Sequence, residues 1–188
     1  MSEARDWGDP ALRMTREEFY AWAEGRLGRY ERINGVVVAM APERAGHNRA
    51  KHNLREVMRR AIREATLQCE AFGDGMTVQI DDSDYEPDCV VHCPETRLPR
   101  DAVAVPDPLI VVEVLSPNTA RYDRATKFTE YFRLPSVRHY LIVWPDEQRV
   151  VHHRRTDGAD IETTTVTAGE IALSPPGIVI RVEDIYLP

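Results

Sequence analysis

A chain of 188 residues, 43% hydrophobic and 29% charged, has the size and balance of one globular domain with a real core. No apolar run approaches the roughly 20 residues of a membrane-spanning helix, and the start, MSEARDWGDP, carries acids where a leader would be apolar. The net charge of -7, from 24 basic and 31 acidic residues, has the wrong sign for nonspecific coating of nucleic acid.

Thr15, with Glu18 three residues on, forms a capping-box pattern that predicts a short helix over 15–24. RYERINGVVVAMAP follows as a strand with a turn at Asn34-Gly35. A long helix is expected over 47–65, its apolar stripe being Leu54, Val57, Met58, Ala61, Ile62 and Ala65. Strands are expected over 77–80, 87–92 and 109–115, then a second long helix over 120–134. RHYLIVWP reads as a strand that pairs with QRVVHHRR across Asp146-Glu147. The C-terminal third, IETTTVTAG and GIVIRVEDIYL, reads as short strands and an end-cap. The order predicts a single α/β (α+β) domain over 1–188, with helices against a mixed central sheet. Its core spans about 29–155 and extra C-terminal strands about 160–187.

Glu113 interrupts the apolar run LIVVEVL, in a strand that should be buried on both faces. An ionised carboxylate there costs several kcal/mol unless a positive group meets it. Glu31 enters the first strand, Asp88 follows Pro87 at the start of another, and Lys127 lies on the following helix with Asp123. Carboxylates that meet at a sheet suit a hard cation such as magnesium or manganese, which polarises a phosphodiester and lowers the pKa of an attacking water. A lysine beside them adds charge where the transition state needs it. The blander alternative makes Lys127 a surface partner of Asp123 and Glu130, four residues before and three after it.

Lys51, Arg55, Arg59 and Arg63 recur every four residues on the long helix, as a solvated face or a phosphate-tracking one. His47 opens the same helix and is a further candidate contact near substrate. His152-His153 should point to opposite faces of a strand at the surface. Cys89, His92 and Cys93 lack a second pair at zinc spacing. The three cysteines, odd in number and irregularly spaced, argue for a reducing cytoplasm and against a disulfide framework.

Pro87-Asp88 followed by Glu113-Val114-Leu115 resembles the PD-(D/E)XK nuclease superfamily. TREEFYAWAE, RYERINGVVVAMAP, His47, EPDCVV, VVEVLSPNTARYDRATKFTEY and RHYLIVWP resemble, more closely, the Uma family of restriction-endonuclease-type proteins, over about residues 14 to 187. The resemblance implies a restriction-endonuclease-like core and magnesium- or manganese-dependent hydrolysis of nucleic acid, most readily DNA. By the same resemblance Glu31, Asp88 and Glu113 would hold the metal, and Asp88, Glu113 and Lys127 would be catalytic. Phosphate contacts would fall to His47, Lys51, Arg55, Arg59 and Arg63, and the working unit would be a cytoplasmic homodimer. One departure is plain: the superfamily lysine sits two residues after the acid, where this chain has Leu115. Lys127 would then be a lysine moved to the next helix. Two rivals follow: a catalytically silent binding or assembly module of the same fold, and a metal-free carboxylate-pair hydrolase.

Overall fold

Thr15 caps the first helix reciprocally: Glu18 N–H donates to Thr15 Oγ1 (3.2 Å) and Thr15 N–H to Glu18 Oε2 (2.8 Å). The helix, α1 (Arg16–Ala23), ends one residue short of the expected span. The computed structural model describes residues 12–115, 122–158 and 160–187. Asn34 and Gly35 take positive φ, 49° and 78°, as a tight hairpin turn requires, so RYERINGVVVA splits into β1 (Tyr30–Ile33) and β2 (Val36–Ala39). Two further strands, β4 (Val78–Ile80) and β5 (Ser83–Tyr85), complete an antiparallel sheet of order β2-β1-β5-β4.

A second sheet of order β10-β9-β8-β7-β6-β3 forms the centre. Its strands are β3 (Glu70–Phe72), β6 (Cys89–His92), β7 (Ile110–Val114), β8 (His139–Trp144), β9 (Arg149–Arg155) and β10 (Ile161–Val166). Only β7 and β8 run parallel, and a parallel pair needs a crossover; α3 (Tyr122–Tyr131) supplies it. A hairpin of β11 (Glu170–Leu173) and β12 (Ile178–Arg181), with α4 (Val182–Ile185), closes the chain.

Strand alternation gives this sheet two apolar faces. Val91, Ile110, Val112, Leu141 and Val143 pack against Leu54, Met58 and Ile62 of α2 (Ala45–Glu64) and against Ile180 and Ile185. On the other face Val111, Leu115, Tyr140 and Ile142 meet Val78, Tyr85 and Tyr131. Each such aliphatic side chain, fully buried, contributes about 1.5–3 kcal/mol. This two-sided burial explains why β7 reads as an almost continuous apolar run.

Three expectations are corrected. Cys69 and Cys93 are joined by a disulfide, because β3 pairs with β6 and brings residues 24 apart in sequence side by side. Spacing along the chain could not reveal a pairing made by an edge strand of three residues. The buried Cys89 stays free. His152 is buried, not superficial: the side of β9 it occupies is covered by the C-terminal hairpin, and its Nε2 lies 2.9 Å from His139 Nδ1, whose own Nε2 reaches Pro175 O at 2.8 Å. The second helix stops at Tyr131 instead of Leu134, in keeping with Pro135, which disfavours helical backbone at the residue before it.

Candidate active site

The two sheets meet where β5 passes into β6 through Glu86-Pro87-Asp88. One step beyond the ladder pair of Cys89 with Val112, antiparallel register brings Asp88 opposite Glu113. Asp88 Oδ2 accepts the Val114 N–H at 2.7 Å, which fixes that carboxylate against the strand. Glu31 arrives from β1 in the other sheet, its Oε1 accepting the Glu86 N–H at 3.0 Å. Glu31, Asp88, Glu113 and Lys127 are all buried, between 5% and 9% exposed.

The ammonium of Lys127 joins the two sheets, 3.1 Å from Glu31 Oε1 and 3.0 Å from Glu113 Oε1. This puts a positive group beside the buried Glu113, and it comes from α3. Tyr131, one turn further along, donates its hydroxyl to Glu113 Oε1 at 2.7 Å. Burial pushes the Glu113 carboxyl up to about 8; Lys127 opposes the rise, Asp88 and Glu31 add to it, and the Tyr131 hydroxyl counters. Burial, with Glu113 beside it, likewise holds the Tyr131 phenol well above its ordinary value, so it remains a donor. Glu130 pairs with Arg133 at 3.3 Å, while the Asp123 side chain lies outside the described residues. The surface alternative for Lys127 does not describe a lysine only 7% exposed.

A second lysine faces the same centre from α2. Lys51, 5% exposed, sits 3.0 Å from Asp88 Oδ1 and 2.6 Å from Asp74 Oδ2, and also pairs with Glu43. Arg29 backs this group, at 2.7 Å from Glu43, 3.1 Å from Asp74 and 2.8 Å from Glu86. His47 Nε2 lies 2.6 Å from Val114 O; a carbonyl only accepts, so Nε2 carries the proton. Its buried Nδ1 has no hydrogen-bond partner among the described residues.

The structure therefore brings Glu31, Asp88, Glu113, Lys127, His47 and Lys51 together, puts Arg55 on the wall of a recess shared with Lys51 and Asp88, and leaves Arg59 and Arg63 apart on the exposed face of α2. A four-residue step overshoots one helical turn by about 40°, and over 51 to 63 that drift carries the stripe from the buried side into solvent. Arg55 crosses Gly73, where a Cβ would stand 3.1 Å from its side chain, and Arg63 pairs with Glu56 at 3.2 Å. Sequence reasoning missed Arg29, Glu43 and Asp74 as members of the cluster. The available signal was the spacing of Glu43, His47 and Lys51, four residues apart across the start of a helix.

The donors here are oxygen atoms, the chemistry that a hard divalent cation takes. Among the described residues no three carboxylate, histidine or cysteine side chains converge as a ready metal cage. Instead two ammonium groups lie between the carboxylates: Lys127 between Glu31 and Glu113, Lys51 against Asp88. The donor set thus fits magnesium or manganese in kind, at positions now balanced by lysine.

Residues 16–183 match the profile of the Uma2 family, described as "Putative restriction endonuclease". Among similar chains, an uncharacterised protein of Synechocystis sp. is 28% identical over 188 residues, spanning 94% of this chain and 93% of the relative. A second uncharacterised Synechocystis protein is 29% identical over 145 residues, 76% of this chain and 81% of its own length. A solved structure from Anabaena variabilis, described as "a putative nuclease belonging to DUF820", superposes with a TM-score of 0.73 at 17% identity. The match covers 92% of this chain and 97% of that one, a likeness of fold. No helix among the described residues is long and apolar enough to cross a membrane.

Proposed function

The chain belongs to the Uma2 family, and on that premise we propose that it is a magnesium- or manganese-dependent endonuclease that hydrolyses phosphodiester bonds, most readily of DNA. The observation that carries this reading is the buried bridge from Lys127 to Glu31 and Glu113, beside Asp88. It gives the site a lysine from α3 where Leu115 occupies the in-strand position.

Asp88 and Glu113, with Glu31 alongside, would hold the cation. Once bound, the ion supplies Lewis-acid polarisation of the scissile phosphate and a more acidic attacking water. The rest falls to the chain. Val114 N–H and the Tyr131 hydroxyl fix the two carboxylates, so little reorganisation is needed at the moment of reaction. Lys127 holds a positive charge against the acids and offers it to the anionic transition state. Buried apolar walls of Tyr85, Val111 and Leu115 exclude bulk water and strengthen each of these interactions. Arg55, Arg59 and Arg63 would track phosphates outside the cleft, a local offset to the acidic total. Two copies of one site would cut both strands, so the working unit on this reading is a homodimer.

The test is incubation of the pure protein with circular and single-stranded DNA, with magnesium or manganese and with EDTA, beside Asp88→Asn and Lys127→Met. Metal-dependent cleavage that falls at least about a hundredfold in either variant is expected. Manganese binding without turnover would replace the enzyme with the silent module. Cleavage that survives EDTA would point to the metal-free carboxylate pair.

A further inference from the structure

Lys127 has a place in the proposed chemistry, whereas Lys51 does not. Its burial is nonetheless more than a stability device requires. A lysine confined at 5% exposure loses much side-chain entropy and most of its hydration, and it does so here against three carboxylates at once. Glu43 and Asp74 are shared with Arg29, so they have a cation without it. Among the described residues no second lysine or arginine pairs with Asp88: its Oδ2 is bound by the Val114 N–H, His47 Nε2 stands 3.9 Å off, and Lys51 holds Oδ1.

The Lys51 side of Asp88 is also the open side. A recess of about 210 Å³ lies between α2 and the end of β3, lined by Lys51, His52, Arg55, Gly73, Asp74 and Asp88. The ammonium can therefore leave Asp88 without crossing the core, and Asp74 and Glu43 remain to receive it.

We propose that Lys51 is a placeholder cation: it occupies Asp88 until a divalent ion arrives, and the two compete for the same carboxylate. The proposal rests on the metal-dependent reading of the site and assigns Lys51 as a positioning residue inside it, not a member of the phosphate-tracking stripe. Without Lys51, Asp88 would be a buried carboxylate with no paired lysine or arginine among the described residues, so the placeholder keeps that ligand in place before the metal binds. The same contact sets the affinity, because the incoming ion must displace a charge already in place.

Manganese titration calorimetry on the full chain, with no nucleic acid, tests this. Lys51→Met should bind manganese at least about tenfold more tightly than wild type, since a unit charge about 3 Å from the ligand is gone. Lys51→Arg, which keeps the charge, should stay near wild type. Arg55→Met, a charge on the recess wall with no contact to Asp88, should stay within about twofold. Adding Asp88→Asn to Lys51→Met should erase the gain. Manganese binding by wild type with unchanged affinity in Lys51→Met overturns the placeholder and leaves the metal reading standing. No manganese binding by either protein overturns both. Should Lys51→Met not fold, the Lys51 Nζ resonance of the wild type, assigned by its loss in Lys51→Arg, decides. It should shift on addition of magnesium, and a resonance unmoved at saturating magnesium overturns the proposal.

Discussion

Lys127→Met is the substitution that asks most of the seam. It keeps the apolar stem and deletes a charge that lies 3.1 Å from Glu31 and 3.0 Å from Glu113. Breaking a buried pair by removing one partner costs about 3–5 kcal/mol. Glu113, pushed up to about 8, keeps its proton through neutral pH, so only Glu31 is left as an unpaired anion. The lower end, about 3 kcal/mol at pH 7, is therefore expected. The pH dependence carries a second signature. A carboxyl whose folded pKa is raised binds more protons in the native state, so its contribution is full at low pH and is lost as pH rises toward 8. In the variant, the largest influence opposing that rise is gone, and the Glu113 pKa moves higher still. The gap between wild type and variant should thus be level from pH 6 to about 8 and widen above that by about 1.4 kcal/mol per unit. Urea unfolding followed by tryptophan fluorescence at several pH values measures it. A loss under about 1 kcal/mol at pH 7, typical of an exposed pair, would refute the buried bridge.

Nucleic-acid affinity of an Arg55→Ala, Arg59→Ala double variant, measured over a salt series, should show a slope lower by about one unit per charge removed; an unchanged slope returns the stripe to a solvated face. Reduction of Cys69–Cys93, which closes a loop of sequence separation 24, should cost about 3 kcal/mol on chain-entropy grounds, and equal unfolding midpoints with and without reductant would count against it. His139 and His152 are both held down to about 4, chiefly by burial, so each stabilises the neutral form and stability should fall as pH drops from about 6.5 toward 4. Proton NMR of their ring C2 protons checks this, and a midpoint near 6.5 for both would contradict the burial.

Most of the element order was legible because it rests on local signals. The Thr15–Glu18 box, the Asn34-Gly35 turn and the α2 stripe each lie within a few residues, and each is found where its pattern falls. Strands β3 and β5, reading EAF and SDY, lack the β-branched alternation that made β4, VQI and of equal length, legible. The charge in LIVVEVL announced a need for a partner but could not say which one. That partner lies 14 residues on in sequence and is brought back by the crossover helix. Arg29, Glu43 and Asp74 were invisible for the same reason: side chains from the segments just before β1, just before α2 and just after β3 meet only after both sheets have formed. Lys51 misled because an i, i+4 repeat describes a stripe that rotates, and burial depends on where along it a residue sits.

The ammonium of Lys127 is the place where the two sheets are sewn together by charge. A single atom thus sits in two inventories: what keeps the protein folded and what would act on a phosphate. Selection for heat resistance and selection for turnover would pull on it in different directions, the first toward replacing Lys127, Glu31 and Glu113 together by apolar residues that fill the seam dry, the second toward keeping the charge. A route to a hardier protein should therefore run through the periphery. Val179, half exposed on β12, and the exposed face of β10 can be altered without touching the seam. Chains of this type that have lost chemistry should be recognisable by an apolar residue at this one helix position, with Glu31 and Glu113 relaxed in step.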